Sequence, residues 1–207
     1  MQKSQTTTGI ASLELCLDFT DTVDWRTSDH ATDRLQTYAD LVNWSQRHGV
    51  VDEKESRVLL RSARSQEATG ERVLENARVL REAIYRMFSA AAHGNRAGAA
   101  DVGVLNGHLA NALAKMEVQM TDTGYRFGWC TEEAADRMLY PIAKSAADLL
   151  TSGDLARVKE CANEEEGCGS LFIDSSKSHS RRWCSMESCG NKVKLRTYYA
   201  RHHQPKK

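Results

Sequence analysis

The sequence predicts a mainly α-helical body with one small β-hairpin, followed by a C-terminal treble-clef-like zinc finger. Three observations predict it. Apolar residues recur at three- and four-residue steps through most of the chain before Gly153, the period of helices with one buried face. Only two prolines interrupt a composition rich in Ala, Leu, Arg and Glu, which favours helix over sheet. Four of the six cysteines fall between Cys161 and Cys189, in two pairs separated by a loop. A chain of 207 residues with 41% apolar content suits one domain with a real core plus a small appendage. The boundaries expected are 1–155 for the body and 156–207 for the finger.

Met1 to Gly9 reads as a frayed terminus. Leu13 to Phe19 alternates apolar and polar residues and fits either a short strand or the start of a helix. Thr32 or Asp33 can cap a helix carrying Leu35, Tyr38, Leu41, Val42 and Ser45, ended by Gly49. Asp52 and Glu55 form a capping box for a second helix bearing Val58, Leu59 and Leu60. Thr69 opens a long third helix with Val73, Leu74, Ala77, Leu80, Ile84, Met87, Phe88 and Ala91 on one face, stopped by Gly94. A fourth runs from about Ala99 to Met116.

Val118 to Met120 and Tyr125 to Trp129 flank Thr121-Asp122-Thr123-Gly124, the hairpin of the body. Thr131 with Glu132 and Glu133 starts a helix reaching Leu150, which Pro141 should kink or split. Asp154 then caps a short helix, Leu155 to Glu160.

Cys161 and Cys168 form one knuckle, Cys184 and Cys189 the other. Zinc takes four ligands at tetrahedral corners, and two knuckles deliver two each. His179 and His202 are the alternatives to Cys161. Leu171 to Asp174 and Arg181 to Trp183 read as two strands joined by a tight polar loop, and Lys192 to His203 as a helix. Four thiolates close the shell, so the one Zn2+ expected is structural. Cys16 and Cys130 read as buried small apolar residues.

The net charge of zero conceals an asymmetry. Ser175 to Lys207 holds nine Lys/Arg against one acid, Glu187, a net +8 that the rest balances with −8. A basic tail on an acidic body points to a polyanion. Arg181, Arg182, Lys192, Lys194, Arg196 and Arg201 are the candidate DNA contacts, with Lys192 and Arg196 on one helix face. Arg181, Arg182 and Lys192 can instead offset the charge of the thiolate cluster. The terminus shows no secretory leader and no run of membrane-spanning length, so a cytoplasmic protein with reduced cysteines is expected.

The segment Arg181-Arg182-Trp183-Cys184-Ser185-Met186-Glu187-Ser188-Cys189-Gly190-Asn191-Lys192 resembles the hallmark of the bacterial CGNR zinc-finger family, with Lys192 where the family has Arg. Cys168-Gly169 and Leu171 to Asp174 fit the same family. The body is similar to the helical domain called ABATE, through Leu17-Asp18-Phe19, Asp40-Leu41, Trp44, Leu80 to Tyr85 and Ser145 to Leu150. This resemblance implies a stress-linked bacterial transcription regulator that binds DNA.

A small-molecule effector site is expected at Asp18, Asp21, Thr22, Trp25 and Arg26, where Arg26 can bind an anion and Trp25 can stack on a ring. The other reading has Asp18 and Asp21 capping helices, with Arg26 paired to one of them. No catalytic motif is present, and His30, His48, His93 and His108 are scattered, so no enzyme is expected. A homodimer would suit two-fold operators. The alternative function is a ligand-binding or protein-interaction protein whose finger only braces the fold.

Overall fold

The computed structural model describes residues 12–130 and 134–202. Its centre is the long helix α4 (Glu67–Ala92), which buries Val73, Leu74, Ala77, Leu80, Ala83, Ile84, Met87 and Phe88. At 1.5 Å per residue it is about 39 Å long, enough to wall both the other body helices and the strands that lead into the finger. Against it pack α1 (Leu15–Thr20), α2 (Tyr38–Arg47), α3 (Glu53–Ser65), α5 (Ala99–Ala114) and α6 (Leu139–Thr151).

Leu13 to Phe19 resolves as a turn leading into the helix α1 from Leu15, whose apolar residues meet two neighbours at once. Phe19 lies 5.1 Å from the Trp44 ring. The Cys16 amide donates to Ser145 Oγ at 3.1 Å, and that hydroxyl donates on to the Ser12 carbonyl at 2.9 Å. Cys16 is fully buried, and burial pushes its thiol up to about 12, consistent with an inert core residue.

The capping box of α3 forms as expected: Glu55 N–H donates to Asp52 and Asp52 N–H to Glu55. The cap of α2 does not fall on Thr32 or Asp33. Thr37 caps it, boxed with Asp40. Asp33 is occupied otherwise, since its carboxylate takes two bonds from Arg81 at 2.8 and 2.7 Å. Thr32 and Asp33 form β2 (Thr32–Asp33), paired antiparallel with β1 (Val23–Asp24).

The hairpin is β3 (Met116–Thr121) and β4 (Gly124–Trp129), in the register Thr121↔Gly124 through Met116↔Trp129. Pro141 causes no kink. It is the third residue of α6, where the backbone N–H has no intrahelical acceptor to lose. The expected start at Thr131 to Glu133 lies outside the described residues.

After α6 the chain makes a tight turn, Gly153–Arg157, and then β5 (Val158–Glu160) rather than a helix. β5 pairs antiparallel with β6 (Leu171–Ile173). The expected pairing of Leu171 to Asp174 with Arg181 to Trp183 is therefore corrected: the two strands bracket the first knuckle instead. The backbone of the later segment has other partners, with Ala162 N–H donating to the Arg182 carbonyl and Arg181 N–H to Asp174. Val158, Leu171 and Ile173 enter the same apolar core as α4, and Glu160 accepts from Tyr85 and Ser89 of α4 at 3.0 and 2.7 Å. Finger and body thus share one core. The last helix is α7 (Asn191–His202).

Candidate metal centre and nucleic-acid interface

Cys161, Cys168, Cys184 and Cys189 converge so that their four sulfurs lie within 4.8 Å of one another. Cys184 Sγ is 3.7 Å from both Cys168 Sγ and Cys189 Sγ. A tetrahedral zinc with Zn–S near 2.3 Å requires S···S edges of about 3.8 Å. Three of the four cysteines are buried and Cys184 is half-buried. Two of the thiols are linked through their hydrogen bonds. Hydrogen bonds from Cys168 and then Cys184 pull Cys161 down to about 4, while donating to Cys161 and Cys168 drives the Cys184 thiol far above its ordinary range. Four convergent sulfurs at this spacing are the donor set a dication takes. The expected fallback ligands stand elsewhere: His179 lies in the exposed loop and His202 stacks on Tyr198 at 4.1 Å.

Local sequence builds both knuckles. In the first, Gly167 and Gly169 have φ of +65° and +66°, a region costly for any residue with a Cβ. Both also lie against the body: Thr27 N–H donates to the Gly167 carbonyl at 3.1 Å and Arg26 N–H to the Cys168 carbonyl at 3.2 Å. A Cβ on Gly167 would meet the Ser28 amide nitrogen at 2.6 Å. In the second, Ser185 caps the turn Met186–Gly190 by accepting from Glu187 and Ser188 N–H, which sets Cys189 just ahead of α7. Cys184 N–H donates to Cys161 Sγ at 3.4 Å, the kind of backbone support thiolate ligands receive.

Asp174 holds the link between the knuckles, and sequence reasoning did not assign it this role. It has no exposed surface. It accepts from Lys159 Nζ at 2.6 Å, Ser176 Oγ at 2.6 Å and the amides of Ser176 and Arg181, each at 3.0 Å. The Lys159 and Ser176 bonds hold its carboxyl well below the usual range. The available signal was an acid ending the apolar run Leu171-Phe172-Ile173, since a carboxylate is rarely buried without partners. Arg81, 3% exposed, was missed likewise: it reads as one helix-surface charge among many yet joins Asp33, Glu82 and Thr22.

The six basic candidates divide into two groups. Arg181 donates to the carbonyls of Trp183, at 2.9 Å, and Cys184, and lies 4.4 Å over the Phe172 ring. Lys192 pairs with Glu166 at 2.9 Å and sits 4.1 Å over the Trp25 ring. Arg196 pairs with Glu165 at 2.5 Å. The expected Lys192–Arg196 face is therefore turned onto the acidic first knuckle. Arg182, Lys194 and Arg201 are exposed and make no ion pair among the described residues.

The five expected effector residues do not converge on one pocket. Asp18 and Asp21 line a cleft of about 280 Å³ with Glu14, Phe172 and Arg181. Burial, then the neighbouring Asp18 charge, raises Asp21 to about 7. Thr22 is fully buried and accepts from Arg81 at 3.0 Å. Arg26 is held by Glu82 at 2.5 Å, by the Thr20 carbonyl at 2.8 Å and by the Tyr85 ring at 4.2 Å. Its partner is neither Asp18 nor Asp21, and its guanidinium is spent on the fold. Trp25, at φ +51°, packs beside the cysteine cluster rather than opening toward a ligand.

A helical body that shares one core with a four-cysteine finger ending in an exposed basic helix defines the class of zinc-finger protein. Residues 13–153 match the family model described as "Putative stress-induced transcription regulator", ABATE, and residues 157–202 match the CGNR zinc finger. The chain belongs to the ABATE family and carries a CGNR finger behind that domain. No curated protein matches it. No helix among the described residues is long and apolar enough to cross a membrane.

Proposed function

We propose that the protein is a cytoplasmic DNA-binding regulator of the stress-linked kind its family description names, not an enzyme, with α7 as the contact element. One observation carries this. α7 buries none of its residues: its inner side is tied to the first knuckle through Lys192 and Arg196, and its outer side is polar surface open to a partner. It presents Lys194 and Arg201 unpaired among the described residues, with Tyr198 55% exposed between them. Arg182, 5.6 Å over the Trp183 ring, adds a third cation with no ion pair among the described residues. These groups suit phosphates flanking a groove, with tyrosine as an amphipathic contact. The four cysteines would hold one zinc, which would fix the two knuckles and so the angle of α7. A closed thiolate shell offers no position for substrate.

A second reading is favoured by a specific observation. Arg181 and Arg196 serve contacts inside the finger, and Lys192 joins Glu166 of the finger to the Trp25 ring of the body, as they would if the finger only braced the body. Capture of genomic DNA on zinc-loaded protein across a salt series separates the two. Site-specific enrichment that fades with salt, and is lost in Lys194→Glu/Arg201→Glu, supports the regulator. One zinc per chain with no DNA retained at low salt supports the brace. A small-molecule effector, if the body senses one, has its best opening in the cleft bounded by Glu14, Asp18, Asp21 and Arg181, next to Cys184. There a ligand would touch body and finger together.

A further inference from the structure

We propose that the apolar face of the β3–β4 hairpin is a two-fold self-association surface whose occupant is a second copy of this chain. The geometry of the surface stands independently of the DNA-binding reading; only its use at two-fold DNA sites rests on that reading.

The register opposes Met116 with Trp129, Val118 with Phe127 and Met120 with Tyr125. Directly opposed residues share a face, so all six side chains of that face are apolar. The polar residues Glu117, Gln119, Thr121 and Arg126 take the other face. In an ordinary antiparallel sheet the apolar face is the covered one. Here, among the described residues, only the inner rung is sheltered, with Trp129 5.9 Å from the Tyr140 ring. The outer rungs project: Val118 is 64% exposed, Met120 81%, Tyr125 78% and Phe127 50%. A bare two-stranded hairpin is marginal in water, and a patch of Val, Met, Tyr and Phe with Arg126 at its edge has the apolar centre and polar rim of an interface.

The layout selects a second copy. The aliphatic side chains Val118 and Met120 form a column on β3, and the aromatic Tyr125 and Phe127 form a column on β4. A two-fold axis parallel to the strands lays each column over its opposite, Met120 on Tyr125 and Val118 on Phe127. That meets the preference of methionine sulfur for aromatic rings and brings no like charges together. With side chains of about 150–250 Å², the four exposures amount to about 500 Å² of apolar surface per copy. Two faces together bury about 1,000 Å², the lower bound for a specific interface. A weak, concentration-dependent dimer is the expected product.

The test is sedimentation equilibrium of the full zinc-loaded chain, without DNA, from about 1 to about 200 μM, spanning a micromolar Kd. The parent should pass from monomer to dimer. Met120→Glu/Tyr125→Glu should weaken association by at least about 100-fold, as desolvated unpaired charge demands, with melting temperature and zinc content unchanged. Leu195→Glu on α7 should leave the dimer intact. A parent that stays monomeric at the highest concentration overturns the proposal, as does a dimer that survives the double substitution. Because no DNA is present, failure of the DNA-binding reading leaves this result standing.

Discussion

If α7 meets DNA through its outward side, the salt dependence of binding should separate two pairs of cations on the same helix. Each phosphate contact contributes about −0.9 to the slope of log K against log salt. Lys194 and Arg201 have no ion-pair partner among the described residues, whereas Lys192 and Arg196 are neutralised by Glu166 and Glu165. Lys194→Ala/Arg201→Ala should therefore flatten the slope by about 1.8 per bound chain. Lys192→Ala/Arg196→Ala should move it by less than about 0.5, because those charges release few counterions in the parent. Glu165→Gln/Glu166→Gln should steepen it by up to about 1.8, since two cations are set free. Fluorescence anisotropy on a captured site from about 50 to 200 mM salt reads all three; over that range a change of 1.8 in slope is about a 12-fold change in affinity. Equal losses from the two alanine pairs, or a larger loss from Lys192 and Arg196, would refute the assignment of the inward face to the first knuckle.

The remaining predictions concern the metal and the scaffold. Cys161→Ser should fall well below the parent's one zinc per chain by elemental analysis, while Cys130→Ser should keep it; retention in Cys161→Ser would remove that residue from the ligand set. Arg81→Met strands Asp33, partly rescued by Arg78 at 3.7 Å. A buried pair broken on one side costs about 3 kcal/mol, which in a chain of this size should lower Tm by roughly 6–12 °C. Asp174 has a folded pKa depressed by Lys159 and Ser176, so the stability it contributes is present above the ordinary carboxylate range and lost as pH falls through the folded value. The Tm gap between the parent and Asp174→Asn should therefore narrow as pH drops from about 6 toward 3, and a gap that widens would sink the linkage.

What could be read from the sequence was what is encoded locally. Asp52 and Glu55 sit three residues apart, and their box formed; the α4 stripe repeats from Val73 to Phe88, over about four turns, and it was buried. The four cysteines could be grouped because zinc coordination demands a ligand set whatever the backbone does between them. The readings that changed depended on which partner wins a shared group. Asp33 is a good cap in isolation, but Arg81, 48 positions away, holds its carboxylate. Leu171 to Ile173 was a strand in either scheme, but its neighbour was decided by Val158 joining the core under α4.

The same competition explains the basic residues, and it bears on function. A count of charges from Ser175 onward treats all nine Lys/Arg alike. The fold spends Arg181 on carbonyls beside Cys184, and it spends Lys192 and Arg196 on Glu166 and Glu165. Those three cations orient the knuckles against each other, leaving Arg182, Lys194 and Arg201 without ion partners among the described residues. Bracing and DNA contact therefore need not be rival uses of the finger. One side of α7 fixes its angle to the metal site, and on the proposed DNA-binding reading the other side would meet phosphate, as recognition by a single short helix requires, because a helix free to swing would lose its binding energy to ordering.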